Sequence, residues 1–184
     1  MLPLILGLLL WTGAHLMKRI APGLRASLGD KGKGVIAVML FVSLALMVIG
    51  YRGAEGPFFW GRSNALVGIN NLLMLLAVYL FAISGMKTAL ARKMRHPMLA
   101  AVKVWALAHL LVNGDLASFV LFGGLLAWAV AQMIVINKAQ PEWTPPPPAP
   151  MRKEGIAVGG SLVVFIVIAL IHGWLGYNVF GLGI

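Results

Sequence analysis

Six long apolar runs, separated by short polar segments, dominate the pattern of the sequence. They cover residues 2–17, 34–50, 65–86, 97–112, 116–136 and 156–177. A helix that crosses the core of a bilayer needs about 20 mostly apolar residues, with a range of about 17 to 25. The first and fourth runs are short by this measure, and we expect each to extend into its flanks. The pattern predicts an all-α integral membrane protein with six transmembrane helices.

The residues between the runs indicate where helices end. Pro22-Gly23 is expected to break the first helix, because proline removes a backbone donor and glycine favours a helix end. Asn113-Gly114-Asp115 forms the whole of the fourth loop. Gly114 suits a helix C-terminus and Asp115 can cap the following helix. The fourth and fifth spans should therefore form a tight hairpin.

Residues 138–155 form a proline-rich segment before the last span, with four consecutive prolines at 145–148. Such a run is typical of an extended polyproline spacer. We therefore interpret 138–155 as a cytoplasmic linker and residues 1–184 as one membrane domain.

Composition and charge support the membrane assignment. The chain is 60% hydrophobic and 11% charged, with a mean hydropathy of +0.92, which a water-soluble domain could carry only with a large exposed apolar surface. The net charge of +10 does not indicate a nucleic-acid partner, because the basic residues lie between the apolar runs and not on one polar face. The predicted partner is the lipid bilayer.

The distribution of basic residues predicts the orientation. Twelve of the fifteen lysine and arginine residues lie in the first, third and fifth loops. Loops that retain lysine and arginine face the cytoplasm. Both termini are therefore predicted to be periplasmic, in the inner membrane of a bacterium.

The absence of cysteine limits the possible chemistry. Disulfides, iron–sulfur clusters, thiolate catalysis and covalent c-type haem attachment are excluded. No acidic residue lies in the middle of a span, and neither a Glu-x-x-His pair, a Ser-His-Asp arrangement nor a glycine-rich phosphate loop is present. Any metal or cofactor must be held by histidine.

Two histidines lie inside spans, and each ends the short motif Trp-x-x-Ala-His. Trp11-Thr12-Gly13-Ala14-His15 is in the first span, and Trp105-Ala106-Leu107-Ala108-His109 is in the fourth. The four-residue spacing places ring and imidazole on one helix face. Ionisable groups inside a membrane mark functional sites, although a histidine can also form hydrogen bonds that hold helices together.

Three further residues have two interpretations each. His96 precedes Pro97, so it either caps a helix near the headgroups or belongs to the site. His172 is followed by Trp174 in what resembles an interfacial aromatic belt, but it is also a candidate ligand. Lys103, inside the fourth span, either extends its ammonium to the interface or meets an anion such as a haem propionate.

Two pairings of the histidines follow from the predicted topology. At about 1.5 Å per residue, His15 lies roughly 20 Å from the outer face and His109 roughly 6 Å, near the depth of His172. Depth alone pairs His109 with His172. An inverted repeat of three plus three spans instead makes His15 and His109 symmetry mates, about 14 Å apart along the membrane normal, which suits two histidines that hold one iron.

The segments Arg95-His96-Pro97-Met98, Trp105 to His109 and Asn113-Gly114-Asp115 resemble the NnrU family. These bacterial membrane proteins are linked to nitrite and nitric oxide reduction and are related to the plant zeta-carotene isomerase. The resemblance implies haem b with His15 and His109 as iron ligands, which favours the inverted-repeat pairing. The candidate cofactor-binding residues are His15, His109, Trp11, Trp105, Lys103, Arg95, His96, Asn113 and His172.

The resemblance suggests more than one function. The first is a haem b membrane protein that supports denitrification, with a reductase as partner. The second is a haem-dependent isomerase of a carotenoid or another polyene, but the isomerase has a cysteine at the position of Ala106, so this chain cannot exchange haem ligands through that thiol. The third is a cofactor-free assembly factor or small transporter.

Overall fold

The structure is a computed structural model that describes residues 1–181, and it is mostly helical. The α-helices are α1 (Leu2–Ile20), α2 (Pro22–Ser27), α3 (Gly32–Arg52), α4 (Asn64–Met86), α5 (Pro97–Val112), α6 (Leu116–Ser118), α7 (Gly124–Ala139) and α8 (Met151–Trp174). Short 3₁₀ turns cover Gly29–Lys31 and Leu90–Lys93, and a π-helical turn covers Phe119–Gly123. Two short strands, β1 (Phe58–Trp60) and β2 (Gly114–Asp115), pair with each other.

Among the described residues, four helical segments are long and apolar enough to cross a membrane: Gly29–Arg52, Asn64–Met86, Leu116–Ala139 and Met151–Trp174. Each has 23 or 24 residues, which is about 35 Å of helix and enough for the hydrocarbon core. The prediction of a helical membrane protein is confirmed. The first and fourth predicted spans correspond to the shorter α1 and α5, which have 19 and 16 residues.

Several helix ends lie where the sequence chemistry indicates. The first helix ends at Ile20, and Pro22 takes the first turn of α2, because a residue that precedes proline avoids helical geometry. Asp115 accepts a hydrogen bond from the backbone N–H of Ser118 at 2.9 Å, so its predicted cap is confirmed. Pro97 starts α5, with His96 as the preceding cap residue.

The last helix differs from the predicted span. It begins at Met151, directly after Pro150, and ends at Trp174, whereas the apolar run covers 156–177. The charged residues at 152–154, which the sequence places in the linker, belong to the first turn of the helix. Hydrophobicity marks the part of a helix that lies in the hydrocarbon core, whereas the proline that precedes the helix marks its start.

One compact unit consists of residues 1–59 and 115–141. Within it α1 packs along α3, and α7 packs on α1. Small residues bring α1 and α3 together: a Cβ at Gly50 would overlap with the backbone nitrogen of Leu4, and one at Gly7 would lie 2.8 Å from the carbonyl oxygen of Ser43. Small residues at helix contacts let backbones approach closely in membranes. We call this unit 1.

A second compact unit consists of residues 60–114 and of the chain from residue 142 onwards. Within it α4 packs against α5 and α8. Its core contains Leu80, Ile83, Ala91, Ala101 and Ala157. We call this unit 2. Neither unit is a run of three consecutive spans, and the three-plus-three repeat stays a prediction.

The π-helical turn at Phe119–Gly123 joins α6 to α7. Polar contacts fix the chain before this turn: Tyr51 and Ser118 share a hydrogen bond of 2.9 Å between their hydroxyls, and the hydroxyl of Ser118 donates to Asp115 at 2.7 Å. Gly123 and Gly124 lie where the π-helical turn meets α7. The helix continues through both glycines, so the irregularity is one widened turn, not two half-helices.

Candidate histidine sites

His15 lies on α1 with the ring of Trp11 beside it. The two ring centroids are 4.3 Å apart, as the four-residue spacing predicted. Nδ1 of His15 lies 3.0 Å from the carbonyl oxygen of Trp11. A carbonyl only accepts, so Nδ1 carries a proton and donates. In the neutral form of the imidazole, Nε2 therefore keeps its lone pair and can bind a metal.

Trp128 of α7 completes the surroundings of His15 within unit 1. Its ring centroid is 4.7 Å from His15 and 5.4 Å from Trp11, with edge-on geometry in both pairs. Trp128 is buried. The three rings form a compact aromatic cluster that fixes the orientation of the imidazole.

Two polar atoms of this cluster, and one on the next turn of α7, have no hydrogen-bond partner among the described residues. The indole nitrogens of Trp11 and Trp128 and the amide oxygen of Gln132, one turn after Trp128, are buried and have no hydrogen-bond partner among the described residues. Buried polar groups are nearly always paired, by protein, water or a ligand. The surroundings of His15 therefore contain donors and an acceptor that the rest of the described chain does not satisfy.

His109 on α5 repeats the local geometry of His15. Its ring centroid is 5.0 Å from that of Trp105, and Nδ1 lies 2.9 Å from the carbonyl oxygen of Trp105. The side chain of Asn113 donates to the carbonyl oxygen of His109 at 2.7 Å and so satisfies a carbonyl at the end of the helix. Nδ1 of His109 also donates, and Nε2 keeps the lone pair.

His172 on α8 belongs to the same unit as His109. Its Nδ1 donates to the carbonyl oxygen of Ile168 at 2.8 Å, so a third intramembrane histidine has the same local hydrogen bond. His172 is also within electrostatic range of His109. Both histidines that the depth argument paired thus belong to unit 2, and their pairing as ligands stays a prediction.

The other predicted site residues lie along unit 2. His96 is the cap residue of α5, Arg95 precedes it, and Lys103 lies half-buried in the same helix. Trp105 and Asn113 contact His109 as described above. His15 and Trp11 belong to unit 1, so the pairing of His15 with His109 stays a prediction.

Sequence reasoning missed Trp128 and Gln132. Their signal is a tryptophan in the middle of the fifth apolar run, followed one turn later by an amide. Residues four apart share a helix face, so Trp128 and Gln132 form a polar stripe on a span whose other residues are typical of a lipid-facing helix. No motif links this stripe to His15, and only packing reveals the contact.

No group of three or more His, Cys, Asp or Glu side chains lies together in residues 1–181. A site built by several protein ligands around one ion, such as a structural zinc site, therefore has no support in the described chain. Haem is different, because its porphyrin supplies four ligands and the protein supplies only axial ones.

The family model described as NnrU protein matches residues 3–179. The chain belongs to the NnrU family. The match includes all four histidines, His15, His96, His109 and His172. Comparisons with curated proteins and with solved structures give no match.

Proposed function

We propose that this NnrU-family protein binds haem b in the membrane and supports nitrite and nitric oxide reduction. The observation that carries the proposal is the repeated state of the imidazoles. His15, His109 and His172 each donate Nδ1–H to a carbonyl one turn earlier. Histidines that ligate metals almost always donate their other N–H in this way, which fixes the tautomer and the orientation of the ring.

His109 is the iron ligand on which the two lines of argument agree. The resemblance to the carotenoid isomerase adds His15 as the second ligand, and the depth argument, together with the placement of both residues in unit 2, adds His172 as the alternative. Bound haem supplies electron transfer or binding of a diatomic gas at its iron. The protein's own contribution is to hold neutral imidazoles and to exclude water with tryptophan rings, Trp105 beside His109 and Trp11 with Trp128 beside His15.

Absorption spectra of the purified full-length protein test this proposal. Wild type, expressed with sufficient haem supply, should show a Soret band with a low-spin spectrum. His109→Ala should lose haem or change the spin state, because haem iron is held and tuned through the axial ligand. His15→Ala and His172→Ala then identify the second ligand, since only the true ligand changes the spectrum.

His96→Ala completes the set of histidine variants, because His96 is the N-cap residue of α5 and also a candidate site residue. An unchanged spectrum in this variant would remove His96 from the candidates. A wild-type protein with no Soret band would sink the haem proposal and favour a cofactor-free assembly factor or transporter. A normal low-spin spectrum in His109→Ala would remove the ligand on which both arguments rest.

We also propose that the chain crosses the membrane six times, with both termini periplasmic. α1 and α5 are the two shorter spans, about 28 and 24 Å long at 1.5 Å per residue. The absence of cysteine makes a direct test possible. Lys31→Cys and Glu55→Cys place single thiols at exposed positions of the first and second loops.

An impermeant maleimide applied to intact spheroplasts should label Glu55→Cys and spare Lys31→Cys, which should react only after lysis. The wild-type chain, which has no thiol, gives the background. The reverse pattern would invert the proposed orientation, and equal labelling of both positions would contradict a span between them.

A further inference from the structure

A groove runs between α4 and α8 in unit 2. Apolar side chains of both helices line it, including Leu72, Leu76, Val158 and Leu162, and its volume is about 280 Å³. Along α4 it extends from Leu72 to Tyr79, which is about 10 Å of helix. One leaflet of the hydrocarbon core is about 15 Å thick. The groove thus has the length and the apolar lining of a site for the part of an acyl chain that lies next to the headgroup.

The Tyr79 end of the groove lies toward a strongly basic end of unit 2. Residues 87–95 follow α4 and contain four basic residues and no acid, and the first turn of α8 adds Arg152 and Lys153. Lys153 donates to the carbonyl oxygen of Met86 at 3.3 Å. These contacts bring the basic segment and the start of α8 to the same end of the groove.

Glu154 is the acidic residue at this end, and its carboxylate is already occupied. The hydroxyl of Tyr79 donates to one of its oxygens, and the backbone N–H of Leu90 donates to the other at 3.3 Å. Leu90 begins the 3₁₀ turn that carries Arg92 and Lys93. The carboxylate therefore links the end of the groove to the base of the two cations.

A second hollow of about 370 Å³ lies at these two cations. Arg92, Lys93, Pro145 and Pro148 are among its lining residues. The Nε–H of Arg92 donates to the carbonyl oxygen of Pro146 at 2.8 Å, which holds the guanidinium against the proline-rich segment. The guanidinium has further N–H groups, and arginine presents them in a fork that suits phosphate oxygens.

We propose that unit 2 binds an anionic glycerophospholipid, with its phosphate at Arg92 and Lys93 and one acyl chain in the groove between α4 and α8. Charge complementarity selects the ligand, because basic pockets at the membrane surface bind anionic headgroups. The apolar groove selects a lipid over a free anion. The site is independent of the proposed haem and of the histidines.

Lipid titration of the full-length protein in detergent tests the charge. Phosphatidylglycerol and phosphatidylcholine with the same acyl chains are the probes, and native mass spectrometry counts the lipid retained. Wild type should prefer phosphatidylglycerol. Arg92→Gln combined with Lys93→Gln should weaken its binding about 25-fold, at about fivefold for each cation lost near the surface, and should leave phosphatidylcholine unchanged.

The matched control is Lys18→Gln combined with Arg19→Gln, an adjacent basic pair at the end of α1 in unit 1, which should leave the preference intact. Arg92→Lys with Lys93 unchanged keeps the charge and should keep most of the preference, which separates lost charge from misfolding. If the Arg92 and Lys93 variant retains the full preference while its helicity is normal, the proposal is wrong.

Val158→Trp fills the groove, whereas Val163→Trp places the same ring on an exposed face of the same helix outside the groove. Val158→Trp should weaken retention of phosphatidylglycerol about tenfold, the loss of roughly 1.4 kcal/mol, and Val163→Trp should not. Inorganic phosphate should displace the lipid only weakly. Full displacement by phosphate, with no effect of Val158→Trp, would show a free-anion site and overturn the lipid assignment.

Discussion

The helices α1 and α5 share the motif Trp-x-x-Ala-His, and its local geometry is alike in both. They differ in the side chain from another helix that lies beside the histidine. In both, the tryptophan ring lies 4.3–5.0 Å from the imidazole, and Nδ1 donates to the tryptophan carbonyl. The alanine before each histidine, Ala14 or Ala108, is buried. The third neighbour of His15 is the ring of Trp128, whereas His109 interacts with a second histidine, His172.

This difference separates local from tertiary effects. The residue four positions earlier fixes the tautomer and the orientation of each imidazole, so the five-residue motif is sufficient to set the local geometry of each histidine. The additional neighbour, Trp128 for His15 and His172 for His109, comes from a helix distant in sequence. It determines whether a second nitrogen ligand lies near the first. An aromatic neighbour mainly packs and shields, whereas an imidazole can also coordinate iron.

Removal of Trp128 should have the largest effect on stability. Its ring is buried in contact with Trp11 and His15, so Trp128→Ala should lower the free energy of unfolding by about 3–5 kcal/mol through lost packing and the cavity left behind. Denaturant titration in detergent, followed by circular dichroism, measures the loss. Trp174→Ala, at a site that is 85% exposed, is the control and should change stability little.

The counterpart in unit 2 sharpens the comparison. His172→Ala removes a half-buried side chain whose hydrogen bond stays within its own helix, so stability should fall far less than in Trp128→Ala. A loss of stability as large as that of Trp128→Ala would mean that Trp128 and His172 both serve packing, and the two histidine sites would then not differ in the role of this neighbour.

The close packing of α1 on α3 gives the next largest effect. Gly50→Ala should cost about 1–3 kcal/mol, because the new methyl group meets the backbone of Leu4 and neither helix can yield easily. Gly34→Ala on the same helix meets no atom within 4 Å and should be neutral or stabilising, because alanine favours the helix. Equal effects of the two changes would contradict close packing at Gly50.

Much of the architecture could be predicted from the sequence. The helical membrane class, the ends near Pro22 and Pro97, and the cap at Asp115 depend on hydrophobic runs and on local backbone chemistry, which are visible residue by residue. The start of α8 at Met151 was missed, because charged residues can form a helical turn at the edge of a membrane.

The candidate sites could be predicted only in part. The contacts of His15 with Trp11 and of His109 with Trp105 follow from spacing along one helix. The contact of His15 with Trp128 and the interaction of His109 with His172 depend on which helices pack together. A uniformly apolar span gives little information on which helix it packs against, because lipid and the protein interior favour the same apolar residues.

In unit 2 a polar contact at the basic end fixes α8 on α4. Tyr79→Phe removes the hydroxyl that donates to Glu154 and should lower stability by about 1 kcal/mol, the usual net value of one hydrogen bond. Thermal unfolding in detergent measures this change. Tyr177→Phe, at an exposed site, should have no effect. A loss as large as that for Gly50→Ala would show that unit 2 depends on this polar contact as much as unit 1 depends on close packing at Gly50.

The smallest expected effect compares the helix caps of the two units. In unit 1 Asp115 accepts from both the backbone N–H and the hydroxyl of Ser118, whereas in unit 2 the exposed Ser63 accepts only from the backbone N–H of Leu66, at 3.2 Å. Ser63→Ala should therefore cost about 0.5 kcal/mol, the low end for a lost cap. Ser63→Asp restores an acceptor at the N-terminus of α4 and should recover that loss, and thermal unfolding of the three proteins side by side measures it. If Ser63→Asp is no more stable than Ser63→Ala, the side chain of Ser63 does not cap α4, and the start of that helix depends on packing alone.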